Sequence, residues 1–273
     1  MKEIIKALIP PLFFNIIKKL YYLKYGWTGD YLTWQDALEK STGYDNNTIL
    51  KKVMDASLKV KNGEKIYERD GVTFDRIQYS LPLITGLLYG ISLNEGKLNI
   101  CDFGGSLGSS YRQNLKLLKG CNSINWGVVE QENFVKNGKE FFSDENLGFY
   151  FTIDEYLKIN KPDILLLSSV IQYLEETYEF IEKIIEYDFK IIIIDLTPFS
   201  KNDDTIITVQ SVNPNIYSAS YPCRILSLSK IKSLFAHKYT LLEEFDTTPQ
   251  VKIPLSKNRE AIYKGLIFLK NDK

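Results

Sequence analysis

The stretch that decides the fold spans residues 99–111 and reads Asn99-Ile-Cys-Asp-Phe-Gly-Gly-Ser-Leu-Gly-Ser-Ser-Tyr111. An apolar run ends at Asp102, and three glycines then allow the backbone to turn tightly and to approach a ligand: Gly104, Gly105 and Gly108. The two serines that follow can cap a helix. Unpaired N–H groups at a helix start beside a glycine turn suit an anionic or carboxylate-bearing ligand. We therefore predict a strand, a ligand-binding turn and a helix.

Strand and helix patterns alternate beyond this turn, which is typical of βαβ units. The strands Ile164–Leu167 and Ile191–Ile194 are continuously apolar, as parallel strands buried on both faces are. The last two strands are joined without a helix and must be antiparallel. The sequence thus predicts an α/β fold, a Rossmann-like doubly wound sheet of seven strands with the last strand antiparallel. The seven predicted strands are Leu98–Phe103, Ser123–Glu130, Gly148–Thr152, Asp163–Ser168, Phe189–Asp195, Lys238–Phe245 and Ala261–Lys270.

The chain before residue 96 has a different pattern, and we divide the sequence into a helical N-terminal cap, residues 1–95, and an α/β domain, residues 96–273. No strong strand is predicted before residue 97, apart from a weak one at Lys65–Glu68. Residues 1–25 combine apolar side chains with lysines but lack a signal-peptide centre. Two alternatives stay open for them: contact with an anionic membrane surface, or packing on the same domain or on a second subunit of a homodimer.

Charge and composition exclude several function classes. The 34 Lys and Arg balance the 34 Asp and Glu, whereas nucleic-acid binders normally carry a basic excess, so we expect no nucleic-acid partner. The single histidine, His237, rules out a multi-histidine metal site, and we expect no metal. Three cysteines without framework spacing indicate a reducing, cytoplasmic setting, at the inner face of the membrane if residues 1–25 contact it.

An acidic residue lies where a nucleotide ribose would need one. Twenty-two residues beyond Gly108, a predicted strand ends in Glu130, and an acid at this strand tip can accept both ribose hydroxyls. The glycine turn and this acid serve several nucleotide-containing ligands equally well, NAD included.

The segment from Asp102 to Gly108 resembles motif I of class I S-adenosylmethionine-dependent methyltransferases, although Ser106 replaces the middle glycine of that motif. Val128-Val-Glu130 resembles their second motif, and Asp163–Glu176 resembles their fourth-strand motif. Four further stretches resemble an uncharacterised bacterial methyltransferase family that is often encoded among surface-polysaccharide genes: Tyr25–Tyr31, Tyr67–Phe74, Asp195–Phe199 and Ser220–Cys223.

The resemblance implies S-adenosylmethionine as cofactor and S-adenosylhomocysteine as product. It implies cofactor contacts from Asp102, Gly104, Gly105, Ser106, Gly108, Glu130, Gln131, Thr152, Ser168 and Ser169. The acceptor implied is a surface-polysaccharide sugar (capsule or O-antigen) or a phosphorylated, nucleotide-linked precursor. Expected acceptor contacts are Arg69, Tyr79, Gln172, Tyr221 and Arg224, of which the two arginines suit a phosphate. Asp195 and Tyr173 are the expected bases.

Two alternatives use the same residues. Gly104-Gly-Ser106-Leu-Gly108 is also a G-x-S-x-G sequence, and Asp195 and His237 follow it in the order of a serine α/β-hydrolase triad. Against this reading, no strong strands precede the turn, and His237 comes before a strand and not after the last one. The second alternative is a non-catalytic nucleotide-binding Rossmann protein.

Overall fold

A computed structural model of the chain describes residues 25–43, 46–247 and 250–272. The expected segment 1–25 lies outside these residues except for Tyr25. No helix in the described ranges is long and apolar enough to span a bilayer. The helices are α1 (Trp34–Glu39), α2 (Asn46–Lys61), α3 (Leu81–Ser92), α4 (Ser109–Asn114), α5 (Glu132–Phe141), α6 (Ile153–Ile159), α7 (Thr177–Glu186) and α8 (Leu228–Phe235), with 3₁₀ turns at Ile171–Tyr173 and Ser256–Asn258.

The strands divide between one large sheet and two small ones. The large sheet holds β4 (Lys97–Phe103), β5 (Ser123–Val129), β6 (Leu147–Tyr150), β7 (Ile164–Ser168), β8 (Ile191–Ser200), β11 (Tyr239–Asp246), β12 (Lys252–Pro254) and β13 (Glu260–Lys270). The small sheets hold β1 (Gly26–Tyr31), β2 (Tyr67–Arg69), β3 (Val72–Phe74), β9 (Ile206–Ser211) and β10 (Ser220–Ile225).

The large sheet has the predicted seven-strand path, in the order β11-β13-β8-β7-β4-β5-β6, with the short β12 paired onto β13. Strands β8, β7, β4, β5 and β6 are parallel. The last strand, β13, lies between β8 and β11 and is antiparallel to both. The prediction of an α/β sheet with an antiparallel last strand is therefore confirmed.

Apolar residues pack on both faces of this sheet, which explains the continuously apolar strands. Ile191 and Ile193 belong to the core under α3 and α5, whereas Ile192 and Ile194 belong to the core under α7 and α8. All four are fully buried. The carboxyl ends of the parallel strands are left for loops, so strand tips that are distant in sequence meet at one edge.

Of the three strands before residue 97, β2 overlaps the weak strand predicted at Lys65–Glu68, whereas β1 and β3 were not predicted. β1 pairs with β9, with Trp27 opposite Gln210, and β9 pairs with β10. β2 and β3 form a separate hairpin. A pairing between strands about 180 residues apart leaves no local signal in the sequence. It also crosses the division between residues 95 and 96, which stays a prediction.

Candidate functional site

The glycine turn after β4 is shaped by contacts that only glycine permits. Gly104 has a φ of 76°, and its N–H donates to the Val129 carbonyl at 2.9 Å. A Cβ on Gly104 would lie 2.4 Å from Val170 Cγ2, and a Cβ on Gly105 would lie 2.5 Å from Asp102 Oδ2. The turn therefore presents bare backbone, and Gly108, with a φ of 86°, caps α4.

Asp102 packs against this turn on the side away from the cleft. Its side chain is buried, and Trp126 Nε1 donates to Oδ2 at 2.9 Å. Burial raises the pKa of Asp102 to about 7, against the opposing effect of the indole hydrogen bond. Asp102 is therefore held behind the turn by the core.

Glu130, at the tip of β5, is held against the same turn. Its carboxylate accepts the Ser106 N–H at 3.3 Å and the Gln131 N–H at 2.7 Å. Burial raises the pKa of Glu130, and these two hydrogen bonds lower it. Ser106 has a φ of 55°, a left-handed conformation that is strained for a residue with a Cβ. The acid expected to bind a ribose thus lies beside the turn and lines the cleft.

The tip of β7 brings further polar groups to the cleft. Ser169 has a φ of 55°, and its N–H donates to the Asp195 carbonyl at 2.9 Å. Gln172 Nε2 donates to Ser169 Oγ at 3.1 Å, whereas the buried Gln172 Oε1 has no partner. Ser168 ends β7 opposite Asp195. Of these residues, Ser169 lines the cleft.

Thr152 has a different position from the one expected at the end of a third strand. β6 ends at Tyr150, and Thr152 caps α6, where its Oγ1 accepts the Glu155 N–H at 2.9 Å. The neighbouring Phe151 lines the cleft instead. The expected contact between Thr152 and an adenine stays a prediction.

The two expected bases differ in their surroundings. Asp195 is fully buried near the tip of β8, and neither carboxylate oxygen has a hydrogen-bond partner. Burial raises its pKa to about 6, although the positive charge of Arg69 opposes this. Tyr173 lines the cleft, and its hydroxyl donates to Gln210 Oε1 at 2.9 Å. Burial raises the Tyr173 pKa well above its usual value, so this hydroxyl stays protonated at neutral pH.

One cleft has a volume of about 800 Å³, within the range of small-molecule sites, and Gly104, Ser106, Glu130, Ser169 and Tyr173 are among the residues that line it. We call the part against the strand tips the cofactor half: Phe103, Gly104, Ser106, Val129, Glu130, Gln131, Phe134, Phe151 and Ser169. We call the part formed by the N-terminal region and by β9 and β10 the acceptor half: Trp34, Asp70, Tyr173, Gln210, Tyr217 and Tyr221.

The expected acceptor contacts separate in the structure. Tyr221 lines the cleft, with its ring in edge contact with Tyr173 at 5.3 Å between centroids. Arg69 donates to Gln113 Oε1 at 3.4 Å. Arg224 donates to the Glu175 carbonyl at 2.6 Å and stacks over Trp34. Of the five expected residues, Arg69, Tyr79, Gln172 and Arg224 are outside the cleft lining.

Sequence reasoning missed Asp70, Gln210 and Tyr217. For Asp70 a signal was present, because Asp70-Gly71 is a dipeptide typical of a two-residue hairpin turn. Both residues have positive φ, 51° and 75°, between the paired Arg69 and Val72. Gln210 and Tyr217 reach the cleft through the β1-β9-β10 sheet, for which the sequence offers no local pattern.

The structure rules out the hydrolase triad. Ser106 follows the carboxyl end of β4, and Asp195 lies opposite Ser168, the last residue of β7, whereas the exposed His237 precedes β11 at the opposite edge. Tyr239 of β11 pairs with Lys270 of β13, and the adjacent Leu269 pairs with Ile191 at the start of β8. His237 therefore lies at the end of the sheet where β8 begins. The four residues from Ile191 to Asp195 span about 13 Å of strand, so His237 cannot serve Ser106.

No protein-family model matches the chain, and no curated protein matches its sequence. Among solved structures, the N-terminal domain of EvdMO1 with SAH and D-fucose is 11% identical, with a TM-score of 0.48 over 84% of this chain and 98% of that one. An S-adenosylmethionine-dependent methyltransferase from Clostridium acetobutylicum ATCC 824 is 10% identical, with a TM-score of 0.43 over 69% and 90% of the two chains. N-methyltransferase NodS from Bradyrhizobium japonicum WM9, in complex with SAH, is 14% identical, with a TM-score of 0.39 over 72% and 90%. At these scores, the proposal below rests on the site itself.

Proposed function

We propose that this chain is an S-adenosylmethionine-dependent methyltransferase. The observation that carries the proposal is the bare glycine turn after β4, held against Glu130 at the tip of the neighbouring strand. A backbone turn and an acid at adjacent strand tips suit a ligand with a ribose and a charged amino-acid tail. The antiparallel β13 within an otherwise parallel core is consistent with the methyltransferase resemblance.

The residues present fit such a cofactor. The close packing of the turn against Val170 and Asp102 requires glycine at positions 104 and 105, and Gly104 lines the cleft with backbone alone. Glu130 keeps lone pairs for ribose hydroxyls after accepting two backbone N–H groups. Phe134 and Phe151 line the same half and offer apolar surface to a base. Bound there, the cofactor would supply a methyl carbon attached to a positively charged sulfur.

The remaining chemistry belongs to the chain. The cleft walls would hold the acceptor atom in line with the methyl carbon, which is the main contribution to such a displacement. Tyr173, protonated and fixed by Gln210, would orient the acceptor through its ring and hydroxyl. Asp195 would take the proton of an acceptor hydroxyl, because its pKa of about 6 leaves it ionised at neutral pH. Reaching Asp195 requires neighbouring side chains to move, since its carboxylate is buried.

For the acceptor we keep the carbohydrate expected from the resemblance. Tyrosine rings such as Tyr217 and Tyr221 present flat apolar faces with polar edges, which suit a sugar ring. The polysaccharide link, the cytoplasmic location, the membrane contact and the homodimer stay predictions.

Titration calorimetry tests the proposal with S-adenosylhomocysteine and, in parallel, NAD. We expect micromolar binding of S-adenosylhomocysteine that Glu130→Ala weakens by about tenfold, or about 1.4 kcal/mol. The matched control is Glu132→Ala, two residues further on, where the exposed side chain pairs with Lys136. Binding of NAD without S-adenosylhomocysteine would overturn the proposal.

A further inference from the structure

The acceptor half of the cleft carries a carboxylate that the methyl transfer described above does not use. Asp70 lies at the tip of the β2–β3 hairpin, in a turn fixed by the Arg69–Val72 pair. Its side chain is exposed to the cleft and makes no hydrogen bond or ion pair with the described part of the chain. Because the strands on either side of the turn are paired, the backbone at Asp70 is held in a fixed position.

Three tyrosine rings line the same cleft as this carboxylate. Tyr173 and Tyr221 meet edge to face at 5.3 Å, and the Tyr173 hydroxyl is fixed by Gln210. Burial raises the pKa of Tyr217, and the negative charge of Asp70 raises it further, which means that Asp70 lies within electrostatic range of this ring. A cation between a carboxylate and the faces of aromatic rings is attracted by both.

Burial raises the pKa of Asp70, and the positive charge of the neighbouring Arg69 lowers it. Arg69 is directed to Gln113, and Arg224 to the Glu175 carbonyl. Among the described residues that line the cleft, the charged ones are Asp70 and Glu130, and both are acidic. Glu130 belongs to the cofactor half, so Asp70 sets the charge of the acceptor half.

We propose that Asp70 and the rings of Tyr173, Tyr217 and Tyr221 form a subsite for a protonated amine carried by the methyl acceptor. The inference rests on the proposed function, because it assigns the acceptor to the half of the cleft that the cofactor leaves open. The subsite binds the amine of the acceptor, and this amine need not be the atom that receives the methyl group. An amine-bearing acceptor differs from the phosphorylated acceptor that Arg69 and Arg224 led us to expect.

Three small probes with the same ring and chain length test the subsite: 2-phenylethylamine, 2-phenylethanol and phenylacetate, with positive, zero and negative charge. Their affinities are measured by ligand-detected NMR on the full chain saturated with S-adenosylhomocysteine. We expect the amine to bind about fivefold more tightly than the alcohol, and phenylacetate to bind most weakly. In Asp70→Asn the difference between amine and alcohol should fall to about twofold or less, the part that the rings contribute, while the alcohol affinity is unchanged.

The variants are matched for folding. Asparagine is favoured in the positive-φ turn that Asp70 occupies, so Asp70→Asn should keep the hairpin. Asp75→Asn is the control, because Asp75 follows the same hairpin but pairs with Lys65 outside the cleft lining. It should leave all three affinities unchanged.

The outcomes separate the subsite from the methyltransferase. Phenylacetate binding as tightly as the amine, or an amine preference that Asp70→Asn does not reduce, would overturn the subsite even if S-adenosylhomocysteine binds. Should S-adenosylhomocysteine fail to bind, the probes are measured on the free chain. An Asp70-dependent amine preference there would support the subsite while the methyltransferase proposal falls.

Discussion

The two halves of the cleft are built in different ways. The cofactor half consists of strand tips, and each functional group follows its strand within a few residues, as Gly104 follows β4 and Glu130 follows β5. The acceptor half is assembled from a hairpin, a helix and a three-stranded sheet whose partners are far apart in sequence. The first half is thus fixed by the central core, and the second by long-range pairings. We expect a change in one half to leave the ligand of the other half largely unaffected.

The largest expected effect comes from distorting the glycine turn of the cofactor half. In Gly105→Val the new side chain would meet Asp102, which is buried and cannot withdraw. We expect S-adenosylhomocysteine affinity to fall by at least about 100-fold, equivalent to about 2.7 kcal/mol, as measured by calorimetry. Binding of 2-phenylethylamine to the free chain should persist.

Gly120→Ala is the matched control, because nothing lies within 4 Å of the position of its Cβ. Circular dichroism is used to check that both variants are folded. If Gly105→Val binds S-adenosylhomocysteine normally, the glycine turn is not the cofactor site, and the distinction between the halves fails.

The second effect is a pH-dependent stability change at Asp195. Its folded-state pKa of about 6 lies above the ordinary value of 3.8, so the ionised carboxyl destabilises the native state. This penalty is absent below about pH 3.8, grows as the pH rises towards about 6, and is fully present at pH 8. Asp195→Asn should therefore be more stable than the wild type at pH 8, by on the order of 3 kcal/mol, and about equally stable at pH 4.

Urea unfolding at the two pH values measures this difference, and the exposed Asp55→Asn serves as control. A base at Asp195 adds a second expectation: the stabilised variant loses methyl transfer while keeping its S-adenosylhomocysteine affinity. Equal stabilities at pH 8 would mean that the carboxylate has partners in solution, and would weaken its assignment as a base.

The smallest effect is expected at Ser106. This residue takes a φ of 55°, which glycine adopts without strain. Ser106→Gly should increase the free energy of unfolding by up to about 1 kcal/mol and leave S-adenosylhomocysteine affinity within about twofold. Chemical denaturation and calorimetry measure the two quantities. A large loss of affinity would show that the Ser106 side chain, and not its N–H, contacts the cofactor.

The same contrast explains how much could be predicted from the sequence. The turn at Gly104, the acid at Glu130 and the antiparallel β13 follow from local patterns, and the structure has all three. The placement of Tyr217 depends on the long-range pairing of β1, β9 and β10, which no local pattern reveals. Asp70 is an intermediate case, because the Asp-Gly turn was visible but its position over the cleft was not.

The roles of charged side chains were the least predictable feature. Arg69 and Arg224 suggested a phosphate site, but Arg69 donates to Gln113 and Arg224 donates to the Glu175 carbonyl. Asp195 is buried beside an irregular part of β8, where Leu196 takes a φ of 49° and the register with β13 shifts. Sequence spacing carries no information on such contacts.

A crystal structure of the chain with S-adenosylhomocysteine tests the central claim most directly. We predict that the ribose hydroxyls lie against Glu130, that the amino-acid tail lies along Gly104 and Gly105, and that the sulfur faces the acceptor half. A ligand that binds outside the cofactor half, or a ribose that does not contact Glu130, would contradict the account.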